Sequence, residues 1–186
     1  MRYLVAFLAA LIPVTCGQSH ASYDSELEFL KAKAIAEQAK REQEEKCLAT
    51  MVYGEARGEK ETGMIAVAYS AINRAKNKSV CEVVLAPKQY SIFNNNPTLR
   101  EAAMSIDVEP EQKNDIDNTG WEKARQVAAQ VMRKQVADPT AGATHYLAPA
   151  VMAKKGYKYP RWSREYALVA VIDNHKFYKQ QKVKKA

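Results

Sequence analysis

The residue best suited to acid–base chemistry is Glu55, in the run C-L-A-T-M-V-Y-G-E-A-R-G-E at residues 47–59. Apolar residues recur in this run at Leu48, Met51 and Val52. This spacing predicts a short helix with one buried face, which Gly58 is placed to end. Glu55 then lies in the last turn, where the negative end of the helix dipole raises the pKa of a carboxyl group. A carboxylic acid that keeps its proton near neutral pH can act as a general acid. From spacing alone, an ordinary surface glutamate fits equally well.

Few other side chains offer a different chemistry. Two histidines, His145 and His175, remain once a predicted signal peptide containing His20 is removed, whereas a catalytic zinc site needs about three protein ligands. The chain contains neither a G-x-S-x-G nucleophile motif nor a phosphate-binding loop. We therefore expect no metal and no cofactor. Glu55 remains, together with aromatic and amide side chains of the kind that bind sugar rings; packing in the core is the alternative role for each aromatic residue.

The N-terminus has the pattern of a secretory signal peptide. Arg2 precedes an apolar run at residues 3–14, and Ser19 and Ala21 are small residues suited to cleavage after Ala21. The run is shorter than the roughly 20 residues that span a bilayer. We therefore expect export to the periplasm or cell envelope, or secretion, and no membrane span in the mature chain. The alternative is an uncleaved signal anchor.

Loss of residues 1–21 removes Cys16 and leaves Cys47 and Cys81. An even number of cysteines in an exported chain predicts one disulfide bond, and two buried free thiols are the alternative. The bond would close a loop of about 34 residues and stabilise the fold by about 3–4 kcal/mol. The net charge falls from +7 to +6 when Arg2 is lost. A basic exported protein suits a polyanionic partner, either the bacterial envelope or nucleic acid.

The first half of the mature chain has the pattern of helices joined by polar loops. Residues 22–46 predict a solvated leader helix that begins at Asp24 or Ser25. Its thin apolar stripe consists of Leu27, Leu30, Ala34 and Ile35. Beyond it we expect a helix at 63–76, a short apolar element at 80–85, an extended segment at 89–93 and a polar insertion at 98–118.

The second half predicts one strong helix and a sheet. Thr119 and Glu122 match a capping box at the start of a helix at 120–136. The apolar face of that helix consists of Trp121, Ala124, Ala128, Val131 and Met132. Residues 144–148 and 166–178 are rich in β-branched and aromatic residues, which predicts strands.

The resulting fold class is α+β, a mainly helical domain with a small antiparallel sheet. A basic, aromatic loop at residues 154–162 joins the predicted strands. The expected organisation is a signal peptide at 1–21, a charged helical leader at 22–46, a catalytic domain at 47–180 and a basic tail at 181–186.

Several motifs follow one another in an order that resembles the SleB-like cell wall hydrolase family, the spore-cortex-lytic enzymes and their relatives. The motifs are C-L-A-x-x-x-Y-G-E-A-R-G-E from residue 47, G-M-I-A-V-A-x-x-x-x-N-R from 63, V-C-E-V-V from 80, Q-Y-S from 89, W-E-x-A from 121, D-P-T-x-G-A-T-H-Y from 138, Trp162, and I-D-N-H-x-F-Y from 172. The resemblance covers residues 47–178, nearly the whole mature chain.

The resemblance implies a lysozyme-like domain that acts on peptidoglycan. We expect the protein to be a monomer. Glu55 would be the acid/base of a lytic transglycosylase, which cleaves the β-1,4 bond between N-acetylmuramic acid and N-acetylglucosamine and leaves a 1,6-anhydromuramic end. Other motif positions would line the substrate groove: Asn73, Gln89, Tyr90, Ser91, Thr144, His145, Tyr146, Trp162 and His175.

The sequence departs from the family pattern at three motif positions. Ile92 stands where tryptophan is frequent, Leu147 where a second histidine is frequent, and Asp173 where glycine is usual. The segment at 94–118 is also long and acidic for the family. These departures leave the reaction class unchanged and the range of substrates open.

Three other functions compete with a transglycosylase. A muramidase-type hydrolase, similar to phage endolysins, would use the same glutamate with water. A peptidoglycan-binding module without activity would have no need of the intact E-A-R-G-E run. A basic nucleic-acid binder is disfavoured because the chain has no nucleic-acid motif, so we expect no nucleic-acid partner. Within E-A-R-G-E, Arg57 and Glu59 are expected to form an ion pair that supports the turn.

Overall fold

The computed structural model describes residues 18–111 and 115–180, without the side chains of residues 18–22, 91, 115 and 116. Residues 1–17 of the predicted signal peptide and the predicted tail at 181–186 lie outside this range. The helices of the described residues are α1 (Gln18–Ala56), α2 (Glu61–Ala75), α3 (Val80–Val84), α4 (Ser91–Asn95), α5 (Pro97–Met104), α6 (Asp115–Met132), α7 (Pro149–Lys154) and α8 (Trp162–Glu165). The strands are β1 (His145–Leu147), β2 (Ala167–Ile172) and β3 (His175–Lys179).

The chain divides into two units, one that ends at Ala39 and one that begins at Lys40. The described residues of the first unit are helical, and their side chains are exposed from residue 23 onward. Among the described residues, no helix is long and apolar enough to cross a membrane.

Helix α1 is longer than the sequence predicts. It begins at Gln18, so the predicted start at Asp24 or Ser25 is wrong. The predicted leader helix and the predicted short helix before Glu55 are one element, because neither glycine nor proline interrupts the chain between Gln18 and Gly54. The helix ends at Ala56, two residues before Gly58. Glu55 therefore lies in the last turn, as predicted.

The core of the second unit consists mainly of the last turns of α1 together with α2 and α6. Its fully buried side chains include Leu48, Met51, Val52, Met64, Val67, Val127 and Phe177. The predicted apolar face of α6 is confirmed, since Trp121, Ala124, Ala128 and Val131 are all buried. The helix begins at Asp115 and so encloses Thr119. The predicted capping box at Thr119 and Glu122 is therefore wrong.

Helix α3 is fixed to α1 at its N-terminal end. Cys47 of α1 and Cys81 of α3 form the predicted disulfide bond, with their Cα atoms 5.3 Å apart. The Glu44 carboxylate accepts hydrogen bonds from the backbone N–H groups of Val80 and Cys81, which would otherwise be unpaired at a helix start. A capping box closes the same turn, with Ser79 as the cap.

The segment at 89–93, predicted to be extended, contains the start of α4, so that prediction is wrong from residue 91 onward. This segment of five residues is too short for the spacing of its apolar residues to distinguish a helix from a strand. Asn96 ends α4 and caps α5, where its side chain accepts a hydrogen bond from the Leu99 N–H at 3.1 Å. Pro97 follows as the first residue of α5, a position that needs no N–H donor.

The predicted antiparallel sheet is confirmed, with strand order β1-β3-β2. Tyr146 of β1 pairs with Phe177 of β3, and the β2–β3 hairpin closes where Ile172 pairs with His175. In its turn, Asp173 has φ +48°, in the left-handed region that favours glycine. A Cβ atom added at Gly63 would lie 2.5 Å from the Asp173 carboxylate, so Gly63 leaves room for this departure from the family pattern.

Glu59 holds the hairpin turn, and the predicted ion pair between Arg57 and Glu59 is wrong. The Glu59 carboxylate accepts hydrogen bonds from the Asn174 side chain at 3.1 Å and from its backbone N–H at 3.3 Å. Arg57 instead pairs with Asp117 at 3.3 Å and lies over the Tyr53 ring.

We predict that loss of the disulfide destabilises the protein. The double substitution C47A/C81A should lower the free energy of unfolding by about 3 kcal/mol, because the open chain gains conformational entropy when it unfolds. Urea denaturation followed by circular dichroism measures the difference. A reductant should destabilise the wild type and leave the double variant unchanged; equal stability of the two proteins would contradict the prediction.

We further predict that Glu59→Ala destabilises the fold by about 1 kcal/mol, because it removes a charged acceptor from the hairpin turn. Glu61→Ala, at the exposed start of α2, is the matched control and should change stability by less than about 0.5 kcal/mol. Thermal unfolding of the three proteins tests this difference, and equal midpoints for all three would show that the turn does not depend on Glu59.

Candidate active site

Glu55 lies beside α4. A Cβ atom added at the preceding residue, Gly54, would lie 2.3 Å from Cδ1 of Ile92, so any larger residue at position 54 would require the Ile92 side chain to shift. The backbone N–H of Ile92 lies close enough to the Glu55 carboxyl group to favour its ionised form and so to lower its pKa. This N–H belongs to the first turn of α4 and has no acceptor within its own helix.

Burial raises the pKa of Glu55 above its ordinary value. Three interactions oppose this shift without cancelling it: the Tyr146 hydroxyl donates a hydrogen bond to Oε2 of Glu55 at 3.1 Å, Ile92 donates its N–H, and Lys155 contributes its positive charge. Glu55 thus stays protonated to a higher pH than a surface glutamate. The direction of the shift is the one predicted from the place of Glu55 on the helix, but its cause is burial.

The Glu55 side chain opens into a cavity of about 480 Å³, named here the Glu55 cavity. Its lining residues are Glu55, Arg74, Lys88, Gln89, Tyr90, Asn94, His145, Tyr146 and Trp162. Within this lining Glu55 is the single acid. A second cavity, of about 510 Å³, lies between α1 and α6 and is lined mainly by charged side chains, several of which pair with each other, as Arg133 does with Glu45. It contains none of the candidate residues.

One wall of the Glu55 cavity comes from the sheet. Tyr146 on β1 is held between the rings of His175 and Phe177 on β3, whose centroids lie 5.3 and 5.8 Å from its own. Burial and the nearby Glu55 carboxyl raise the pKa of Tyr146 well above its ordinary value, so the hydroxyl remains a donor. His175 is buried behind this wall, with Nδ1 3.9 Å from the Glu59 carboxylate.

A second wall is aromatic and uncharged. The ring of His145 lies 5.0 Å from that of Trp162 and 4.9 Å from that of Tyr166. Nδ1 of His145 is 2.9 Å from the Thr144 hydroxyl. Burial and the charge of Arg74 lower the pKa of His145 to about 4. Its imidazole is therefore neutral near pH 7, and the wall offers ring faces of the kind that pack against sugars.

The third wall is organised by Arg74, at the C-terminal end of α2. Its guanidinium donates to Oε1 of Gln89 at 2.7 Å and to the Thr144 carbonyl at 3.1 Å, and it lies over the ring of Tyr90. These contacts fix the loop before α4 against β1. Burial, together with the nearby Glu55 carboxyl, raises the pKa of Tyr90, although Arg74 opposes the shift.

The structure brings five of the predicted groove residues to the cavity: Gln89, Tyr90, His145, Tyr146 and Trp162. It places three others behind the walls. Asn73 donates to the Asp138 carboxylate at 2.9 Å and to the Ala143 carbonyl, whereas Thr144 and His175 support His145 and Tyr146. Ser91 begins α4, and its side chain lies outside the described residues.

Sequence reasoning missed Arg74, Lys88 and Asn94 as cavity residues. Arg74 belongs to the N-R pair of the second motif, so the signal was present, but the adjacent Asn73 was preferred. Lys88 and Asn94 lie outside the motifs, and the Lys88 N–H donates to the Asn94 side chain at 3.4 Å. Among the described residues, no group of three or more histidine, cysteine, aspartate or glutamate side chains could hold a metal ion.

The arrangement suits acid–base chemistry on a bound sugar. A buried carboxyl group with a raised pKa, beside the Tyr146 hydroxyl and the Ile92 N–H, faces a cavity lined by aromatic rings and amides. The acid can give its proton to a leaving oxygen and, as a carboxylate, can take a proton in the next step.

Comparisons with known proteins identify the family and the fold. The family model described as Cell Wall Hydrolase matches residues 58–178. Two solved structures share the fold at 23% sequence identity, and each covers 74% of this chain: the SleB catalytic domain from Bacillus cereus (TM-score 0.53, 90% of that chain) and that of the germination-specific lytic transglycosylase SleB from Bacillus anthracis (TM-score 0.54, 94% of that chain). No curated protein matches. The family model matches well over half of the residues of this chain. The chain therefore belongs to the cell wall hydrolase family, whose members act on peptidoglycan.

Proposed function

We propose that this enzyme is a lytic transglycosylase that cleaves the β-1,4 bond between N-acetylmuramic acid and N-acetylglucosamine. The observation that carries the proposal is the buried Glu55 carboxyl group, with its raised pKa, at the wall of a cavity lined by aromatic and amide side chains. The similar Bacillus anthracis protein is a germination-specific lytic transglycosylase, which supports the same reaction class.

The reaction begins with proton transfer from Glu55 to the glycosidic oxygen. The bond between that oxygen and C1 of the muramoyl residue breaks, and positive charge develops on the sugar. Glu55 is now a carboxylate and accepts hydrogen bonds from Tyr146 and from the Ile92 N–H. It then removes the proton of the muramoyl 6-hydroxyl, whose oxygen attacks C1. This step closes the 1,6-anhydro ring and returns the proton to Glu55.

One carboxyl group suffices for this sequence because the same proton site is used twice. No second acid lines the described part of the cavity, whereas the usual hydrolytic mechanisms employ a pair of carboxyl groups. Gln89, Tyr90, His145 and Trp162 would bind the sugar rings and amides on either side of the scissile bond.

The protein would reach this substrate by export. Peptidoglycan lies outside the cytoplasmic membrane, and the residues at 1–21 have the signal-peptide pattern. The periplasm or cell envelope is therefore the proposed compartment, and a single copy of the chain contains every group the mechanism uses.

We predict that Glu55→Gln strongly slows cleavage, because glutamine cannot transfer a proton. The rate should fall by about 10²–10⁴-fold. Purified protein is incubated with peptidoglycan, and soluble products are identified by mass spectrometry. Glu61→Gln is the control and should retain activity.

Each class of product decides between the functions. Anhydromuropeptides from the wild type support the proposal. Products with a free reducing muramic acid would identify a muramidase-type hydrolase, and an inactive wild type that still binds peptidoglycan would identify a binding module. An active Glu55→Gln variant would remove Glu55 from the mechanism.

We also predict that Tyr146→Phe shifts the pH profile of kcat/KM. The Tyr146 hydrogen bond lowers the pKa of Glu55, so its loss raises that pKa further and keeps the acid protonated to higher pH. The alkaline limb, where activity falls as Glu55 loses its proton, should therefore move to higher pH. The maximum rate should fall about tenfold, because the carboxylate formed after proton transfer loses a donor.

Tyr157→Phe, at an exposed position 63% accessible to solvent, is the control and should leave the profile in place. An alkaline limb that stays fixed or moves to lower pH in Tyr146→Phe would contradict the assigned role of the hydroxyl.

A further inference from the structure

The Glu55 cavity carries more positive charge than a neutral sugar chain requires. Arg74 and Lys88 line it, and the charge of Lys155 reaches Glu55 from the end of α7. The single acid of the described lining, Glu55, is held protonated to a higher pH than an ordinary glutamate. The lining therefore presents two cations, Arg74 and Lys88, beside a single acid, and the charge of Lys155 acts on that acid from outside the lining.

Two of these cations are available to a ligand. Arg74 is bound to Gln89 and Thr144 and so holds the cavity wall together. In contrast, Lys88 and Lys155 are exposed, and no carboxylate of the described residues lies within ion-pairing distance of either ammonium group.

Some cations elsewhere on this surface are paired with acids. Lys46 binds Glu109 at 2.8 Å, and Arg161 binds Glu165 at 2.7 Å. Lys88, in the cavity lining, and Lys155, whose ammonium lies 5.9 Å from the centroid of the Tyr157 ring, have no such acidic partner among the described residues.

The backbone at Lys88 adds an independent observation. Lys88 has φ +62°, a left-handed conformation that costs a residue with a side chain about 1 kcal/mol and that glycine adopts freely. The loop before α4 therefore presents a lysine side chain at the cavity in a conformation for which a lysine is intrinsically ill suited.

N-acetylhexosamine rings carry hydroxyl and amide groups and no charge. Negative charge enters a peptidoglycan strand through the lactyl group of muramic acid, either as its own carboxylate or through the carboxylates of an attached peptide. We propose that Lys88 and Lys155 bind these carboxylates, so that the enzyme prefers muramoyl residues with free carboxylates over residues whose carboxylates are blocked. This inference rests on the proposed function of the same cavity.

The test uses one peptidoglycan preparation in two forms. One form is untreated, and in the other a carbodiimide and excess ammonia have converted the carboxylates to neutral amides without breaking glycosidic bonds. Initial rates are measured as soluble hexosamine released at low substrate concentration. The readout is the preference ratio, the rate on untreated peptidoglycan divided by the rate on the amidated form.

We expect wild-type protein to show a preference ratio of roughly five, since each exposed ion pair contributes modestly, and to lose it as added salt screens the charges. The variant K88Q/K155Q keeps the length of both side chains and removes both charges, so its ratio should approach one. The matched control K78Q/K123Q removes two exposed lysines that lie outside the cavity lining and should keep the wild-type ratio.

The ratio separates substrate preference from an effect on the chemical step. Removal of the Lys155 charge raises the pKa of Glu55, which changes the rate on both substrates by the same factor and cancels in the ratio. Circular dichroism of each variant establishes that it is folded.

Three outcomes would overturn the inference while leaving the proposed function intact: a wild-type ratio of one, an equal ratio in K88Q/K155Q and the wild type, or an equal loss in K78Q/K123Q. Failure of the proposed function has a different signature, because wild-type protein would then release no product from either form.

Discussion

The burial of one carboxyl group at the end of a long helix is the constraint on which the rest of this structure depends. An ionised carboxylate that leaves water loses several kcal/mol of hydration, and Glu55 is compensated only in part, by two neutral donors and a nearby lysine. A direct ion pair with Arg74 would remove this cost, but it would also lower the pKa and abolish the acid. Arg74 lies in the same cavity and is engaged instead by Gln89 and Thr144. Arg74 thus lines the same cavity as Glu55 without forming an ion pair with it.

Elements far apart in sequence must meet around this group. The end of α1 is anchored by core packing and by the bond from Cys47 to Cys81, while Gly54 lets α4 approach closely enough for its N–H to reach the acid. The Tyr146 hydroxyl arrives from β1, 91 residues further along the chain. The walls consequently exist only in the folded protein. A substitution that destabilises the hairpin or the α1–α3 connection would therefore also displace the groups that surround Glu55.

The sequence predicted what depends on local pattern and on motif. The last-turn position of Glu55, the disulfide, the apolar face of α6, the sheet and five cavity residues all follow from it. Prediction from the sequence failed where tertiary contacts determine the local structure. Helix α4 is too short to be distinguished from a strand by periodicity, Thr119 lies inside α6 and caps no helix, and Asn73 contacts the Asp138 turn although it belongs to a shared motif. Lys88 and Asn94 escaped notice because no motif contains them and only the folded loop brings them to the acid.

The two glutamates of the E-A-R-G-E run act at opposite ends of one line of contacts. Glu55 accepts from Tyr146, the ring of Tyr146 packs against His175, and the imidazole of His175 lies beside Glu59, which also holds the hairpin turn that carries His175. In the proposed mechanism Glu55 acts first as an acid and then as a base, so it needs a partner that stabilises the anion moderately and never gives up its own proton. A tyrosine whose pKa is raised by burial meets both conditions, provided that its ring cannot turn away. The aromatic packing from β3 fixes that ring, and Glu59 fixes β3. Glu59, which follows Glu55 closely in sequence, therefore supports the same site through the hairpin.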